Sequence, residues 1–289
     1  MAVAISAPTL VRGNARWRPA LPQSRSTIVN WAGFALVILV TLLVIAVPLL
    51  APHDPLTPVG IPLQAPGKNG FLLGTDSVGR DILSRVLYGA RSSWFAALAV
   101  VALGLLIGGL VGLIAGATGG WVDTTLMRIT DGFLSLPAPV LAIAVVAALG
   151  PGFLHTLIAV SIVWWPFYAR LVRGEVVRLA ARPHVEAAKL AGVSRFRLAG
   201  RHLLPGALPN SLVAASLDIG TLILTLAALS FLGLGQAAPA PELGADSARN
   251  LSYFLQQWWI PVMPGLGVLV LALIANIAGD CLRNLMKTE

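Results

Sequence analysis

The sequence predicts an all-α polytopic membrane protein, and three observations carry that expectation. The chain is 57% apolar and only 11% charged, with a mean hydropathy of +0.83, where soluble domains carry about 25% charged residues. Six apolar runs come near the ~20 residues needed to cross ~30 Å of hydrocarbon. The 20 Lys and Arg residues are distributed by loop rather than gathered in one patch, so the net charge of +8 fits a positive-inside topology better than a nucleic-acid surface.

The first run, residues 30–50, follows a tail (1–29) that carries Arg12, Arg16, Arg18 and Arg25 and no acid. That bias is like the n-region of a signal peptide, but the run is long and lacks a small-residue cleavage site, so it is read as a retained anchor. An outer loop, 51–93, comes next. Within it Thr75, Asp76 and Ser77 offer cap oxygens, and Val78, Ile82, Leu83, Val86 and Leu87 recur at helical spacing. This predicts an amphipathic helix lying at the outer interface. The core, 94–282, holds the other runs at 94–117, 131–149, 153–171, 211–234 and 262–281, and a short tail (283–289) closes the chain. A single cysteine, Cys281, excludes a disulfide framework and a cysteine-rich metal site.

Six spans put both termini on one side of the membrane. With that side cytoplasmic, the inner segments carry 4, 1, 8 and 2 basic residues, against 5 in the outer loops (Lys68, Arg80, Arg85, Arg91, Arg249). The threefold bias predicts cytoplasmic termini. It also puts the loop at 173–210 in the cytoplasm.

That loop contains Glu186-Ala187-Ala188, then Gly192, then His202-Leu203-Leu204-Pro205. Pro183 can open a helix without wasting a donor, Glu186 sits near the positive end of its dipole, and Gly192 suits a left-handed terminator. Ser194 can cap a second helix, and Pro205 is expected to end it. The spacing could arise by accident in an ordinary amphipathic loop. It resembles the EAA loop of permeases from bacterial ABC importers, which lies against a cytoplasmic ATPase. "LGTDSVGRDILSRVLYGAR" (73–91), "LSFLGLG" (229–235) and the run from Trp258-Trp259 through Pro264-Gly265 to Asn276, Gly279, Asp280 and Leu282-Arg283 are similar to permeases of the dipeptide/oligopeptide/nickel class. Trp165, Arg170 and Arg173 add to the match, which covers roughly residues 70–285. Two departures stand out: Pro241-Glu242-Leu243-Gly244 replaces a Trp-Gly, and Leu226 replaces a Glu.

The resemblance implies a type I ABC importer permease (MetI-like) fold with six spans, of the "C" type. It implies as partners a second related permease, two ATPase subunits, an extracytoplasmic solute-binding protein and the lipid membrane. The chain itself would need no cofactor, ATP being bound by the ATPases. Glu186, Ala187, Ala188, Gly192, Leu204 and Pro205 are the implied ATPase-coupling residues. Di- or oligopeptide is the implied cargo, with nickel or another small solute as the alternative. A passive channel or scaffold is the alternative of a different class, and it has no need of an ATPase dock.

Other features stand on physics alone. Gly104, Gly108, Gly112 and Gly116 recur every fourth residue and form a ridge that a second helix could approach closely, although glycine is common in membrane helices anyway. Pro137 and Pro139 can kink the third run. Asp218, well inside the fifth run, is expected either to line the translocation path and attract a cationic group or to be a structural acid near the inner interface. His155, His184 and His202 form no ligand set. Trp258 and Trp259 are expected in the outer aromatic belt. No Gly-x4-Gly-Lys-Ser/Thr occurs, so the chain is not expected to hydrolyse ATP, and no His-Glu-x-x-His, Gly-x-Ser-x-Gly or Cys-x-x-Cys supports an enzyme.

Overall fold

A computed structural model describes residues 35–287 of the chain. The expected tail at 1–29, the first residues of the first run and the final two residues lie outside them. Among the described residues the structure is helical, with two isolated β-bridges (Lys68 with Phe71, Thr75 with Asp81) in the outer loop. In order the helices are α1 (Ala35–Ile45), α2 (Val47–Leu50), α3 (Ile82–Thr118), α4 (Gly120–Leu134), α5 (Ala138–Leu149), α6 (Phe153–Ala180), α7 (Pro183–Leu190), α8 (Arg195–Leu198), α9 (Leu204–Phe231), α10 (Leu243–Arg249) and α11 (Trp259–Lys287). A π-helical turn (Ala199–Leu203) joins α8 to α9.

Among the described residues four helices are each long and apolar enough to span alone: α3, α6, the continuous run Arg195–Phe231 and α11. The expected third run is not one straight helix. α4 and α5 meet at 86°, because Pro137 takes an extended conformation and Pro139 falls in the first turn of α5. With no N–H on either proline and α-conformation disfavoured before each, the chain must leave the helix there.

The outer loop also differs from its expectation. The residues at 73–91 do not form a separate interfacial helix beginning at Val78; α3 begins at Ile82 and runs unbroken through the expected second span. Asp76 is the reason for the late start. Its carboxylate accepts from the backbone N–H of Val78 and Arg80 at 2.9 Å each and from Arg80 Nε at 2.7 Å, which fixes a turn in place of a helix. Asp81 is then the cap, accepting from Ser84 N at 3.1 Å and Leu83 N at 3.3 Å.

Buried Arg85, one turn into α3, draws the segments at this end of the bundle together. Its Nη2 donates to Asp246 Oδ1 at 2.7 Å, its Nε to Asp246 Oδ2 at 3.1 Å, and its Nη1 to the carbonyls of Pro55 and Pro239. Nearby Glu242 is also buried, accepting from Ser230 Oγ and from the N–H of Gln236 at 2.7 Å. Burial pushes its carboxyl above the ordinary range. Trp259 packs into this layer: a Cβ on Gly74 would fall 3.1 Å from its indole nitrogen. Trp258 is the exposed one of the pair.

The glycine ridge is a helix interface. A Cβ on Gly108 would fall against the Trp165 carbonyl and 2.8 Å from Ala169 N, and one on Gly112 against the Ala169 carbonyl and 2.9 Å from Arg173 N. Gly104 faces Tyr168 and Gly116 faces Val176. Both numbers rise together, so α3 and α6 run in the same direction, backbone to backbone. By contrast α9 runs against α6 and α11, with Gly220 on Asn276 and Gly279 on Leu217. Outside this core, Leu106, Leu110, Leu269 and Leu273 are exposed, as a surface facing lipid requires.

Candidate functional site

Between α6 and α9 the chain leaves the apolar block and folds into a small helical unit. α6 changes character first: Arg170, Arg173, Glu175 and Arg178 occupy its last turns. Two of these are held by α4. Arg173 pairs bidentately with Asp123, at 2.5 Å through Nε and 2.6 Å through Nη2, and Arg170 pairs with Asp131. Sequence reading missed this clamp, because partners 39 and 50 residues apart leave no local pattern.

Pro183 opens α7 as expected, with Glu186 in the first turn. Gly192 ends it at φ +78°. Its N–H donates to the Lys189 carbonyl at 3.0 Å and Val193 N–H to Ala188 O at 3.1 Å. That pair of bonds is a Schellman motif, which requires a left-handed residue at this position. Ser194 holds the cap position before α8 but makes no side-chain cap bond.

Pro205 does not end the second loop helix. It lies in the first turn of α9, and helix continues from Arg195 to Phe231. The π turn before it makes this possible. Leu204 N–H reaches back five residues to the Ala199 carbonyl, and the wider turn gives the proline ring room that an α-turn would deny.

The unit has its own apolar core of Val172, Val176, Leu179, Val185, Leu198, Leu203 and Ala207, with Ala188 and Val193 packed against it. This sorts the expected coupling residues. Glu186, Ala187 and Gly192 are exposed, whereas Ala188 packs against this core. Leu204 and Pro205 stand apart at the base of α9. Two large apolar residues of the loop that sequence reading passed over are almost bare: Leu190 at 90% and Phe196 at 94% exposure. Their signal was available, since both are large and apolar yet fall off the buried stripe. His184 is exposed and His202 half-buried.

Asp218 lies higher, inside α9. Its Oδ2 accepts from Trp164 Nε1 at 3.0 Å and from the Tyr168 hydroxyl at 2.9 Å. The carboxylate therefore joins α9 to α6, the two helices that flank the loop.

Residues 108–288 match the family model described as binding-protein-dependent transport system inner membrane component. A probable D,D-dipeptide transport system permease protein of Escherichia coli is 43% identical over 257 residues, which cover 88% of this chain and 85% of that protein. A di/tripeptide transport system permease protein of Pseudomonas aeruginosa is 39% identical, covering 89% and 87%. A glutathione transport system permease protein of Pectobacterium atrosepticum is 41% identical, covering 75% and 72%. A solved inward-facing structure of a methionine ABC transporter matches with a TM-score of 0.56 at 20% identity, covering 72% of this chain and 97% of that one. The apolar helices, the loop built between α6 and α9 and these matches agree, and the chain belongs to the binding-protein-dependent transport system inner membrane components.

Proposed function

We propose that the chain is the permease subunit of an ABC importer for di- or oligopeptides, and that the exposed side of the α7–α8 loop is its ATPase dock. The observation that carries the dock is the Schellman turn at Gly192, which leaves Glu186, Ala187 and the turn itself exposed while a buried core holds the unit to α6 and α9. Relatives of similar length carry dipeptide and di/tripeptide names, which supports peptide over nickel as cargo. A second permease, two ATPases and an extracytoplasmic binding protein complete the importer in this reading. ATP-driven closure of the ATPase dimer would move the loop, and α6 and α9, bonded through Asp218, would carry that motion into the membrane.

Orientation follows from the basic bias, with both termini cytoplasmic. Lys68 and Arg197 are both exposed, and the native Cys281 is buried. A cysteine at position 68 is expected to react with a membrane-impermeant thiol reagent added outside intact cells, and one at position 197 to remain unlabelled. The opposite pattern would reverse the topology and remove the dock from the ATPase side.

Asp218 has a structural role and, we propose, a second one toward cargo. Asp218→Asn keeps an acceptor for Trp164 and Tyr168, so normal assembly and melting are expected. Asp218→Leu leaves both donors unpaired, at about 1–3 kcal/mol each, and should lower the melting temperature of the solubilised protein. If the charge also attracts a cationic cargo, Asp218→Asn raises the half-saturation for that cargo. Uptake identical to wild type in Asp218→Asn would leave only the tie between helices.

A further inference from the structure

We propose that Leu190 and Phe196 are the two anchors of the loop, entering an apolar pocket of the ATPase whose rim is acidic. This rests on the docking reading above and goes beyond it in naming the residues that hold the partner and the chemistry that receives them.

Leu190 is the last residue of α7 and Phe196 lies in the first turn of α8, on either side of the Gly192 turn. At 90% and 94% exposure they contribute almost nothing to the chain's own packing. One bare apolar side chain is ordinary, but two of this size flanking a single four-residue connection between helices outside the bilayer make the kind of apolar patch that marks an interaction site. Arg195 and Arg197 flank Phe196 in sequence, and Arg182 and Arg201 stand at the two ends of the unit, all exposed and making no ion pair among the described residues. A partner that covers the two anchors brings its rim against these cations. Carboxylates there would meet them and steer association, while Glu186 calls for one cation among them.

The alternative occupant is the inner leaflet, and the depth of the loop disfavours it. Charged side chains on α6 begin at Arg170, and Ala180 lies ten residues further on, about 15 Å along the helix axis. The loop's Val185 and Leu198 share a core with Val172, Val176 and Leu179, in the charged stretch of α6 that follows Arg170 and not in its apolar part. Exposed Glu186 on the same side would also be repelled by anionic headgroups.

The test uses the assembled importer in nanodiscs with its own purified ATPase pair. A benzophenone amino acid at position 196 is expected to cross-link to an ATPase peptide, and Phe196→Ala to weaken ATPase binding by about 30-fold or more, as loss of a central anchor does. Phe196→Leu should restore most of the affinity. Because the side chain is bare, truncation leaves the permease folded, which its elution profile checks. Cross-linking to lipid alone, or unchanged affinity in Phe196→Ala, would overturn the proposal. A second benzophenone at Ala187 separates the two levels. Cross-linking of the ATPase from 187 but not from 196 would sink the anchors and keep the dock. Failure at both positions would sink the dock itself.

Discussion

Gly112→Leu is expected to abolish accumulation of folded protein in the membrane, while Gly109→Leu on the same helix leaves it near wild type. A Cβ on Gly112 meets the backbone of α6, against the Ala169 carbonyl and 2.9 Å from Arg173 N. A backbone cannot rotate away as a side chain can. Overpacking a well-packed site by a few methylenes already costs about 1–3 kcal/mol; here the two helices would have to separate, and the contacts of Gly104, Gly108 and Gly116 would be lost with those of Gly112. Against a total stability of about 5–15 kcal/mol, that is enough to prevent folding. Gly109 has nothing within 4 Å, so leucine there enters the apolar groove lined by Leu105 and Leu106. Yield in the membrane fraction and the elution profile in mild detergent measure the difference. Equal behaviour of the two variants would mean that the ridge is not the α3–α6 interface.

The second large effect is uncoupling by Gly192→Val. The residue sits at φ +78° with nothing within 4 Å of its Cβ position, so the cost arises in the backbone and not in crowding within the chain. A β-branched residue is an outlier at positive φ. Holding it there costs on the order of 1–3 kcal/mol, and the turn instead relaxes and moves the flanking ends of α7 and α8. Asparagine tolerates the left-handed region, so Gly192→Asn is expected to retain most of the activity. Glu186→Lys should uncouple as well, since its side chain is exposed and reverses sign only toward a partner. All three variants should insert normally. The readout is substrate-stimulated ATP hydrolysis by the assembled importer. Full stimulation in both Gly192→Val and Glu186→Lys would remove the loop from the coupling path.

Much of this was legible in the sequence. Pro183, Glu186 and Gly192 marked α7 and its terminator, because helix ends are set by local backbone chemistry that a few residues write out. Pro137 and Pro139 marked the weak point of the third run but not its size, since a proline forbids helix without saying which way the chain turns. Pro205 misled for a related reason. Its missing N–H ends an α-helix, but a π turn just before it can absorb it, and only the folded chain shows that Leu204 bonds to Ala199. The start of α3 was misplaced because Asp76 could have capped a helix and instead closes a turn around Arg80.

What the sequence determined by itself was which segments are apolar enough to enter a bilayer and where charge gathers, because the cost of transfer into hydrocarbon adds up along a local run and needs no partner. What only the tertiary structure decided was which helix faces which: Arg85 with Asp246, Arg173 with Asp123, Asp218 with Trp164 and Tyr168, Gly112 with Ala169. In water a helix advertises its buried face by being apolar on one side. In lipid both sides are apolar, and association is set by close packing and by polar groups that must find each other across tens of residues.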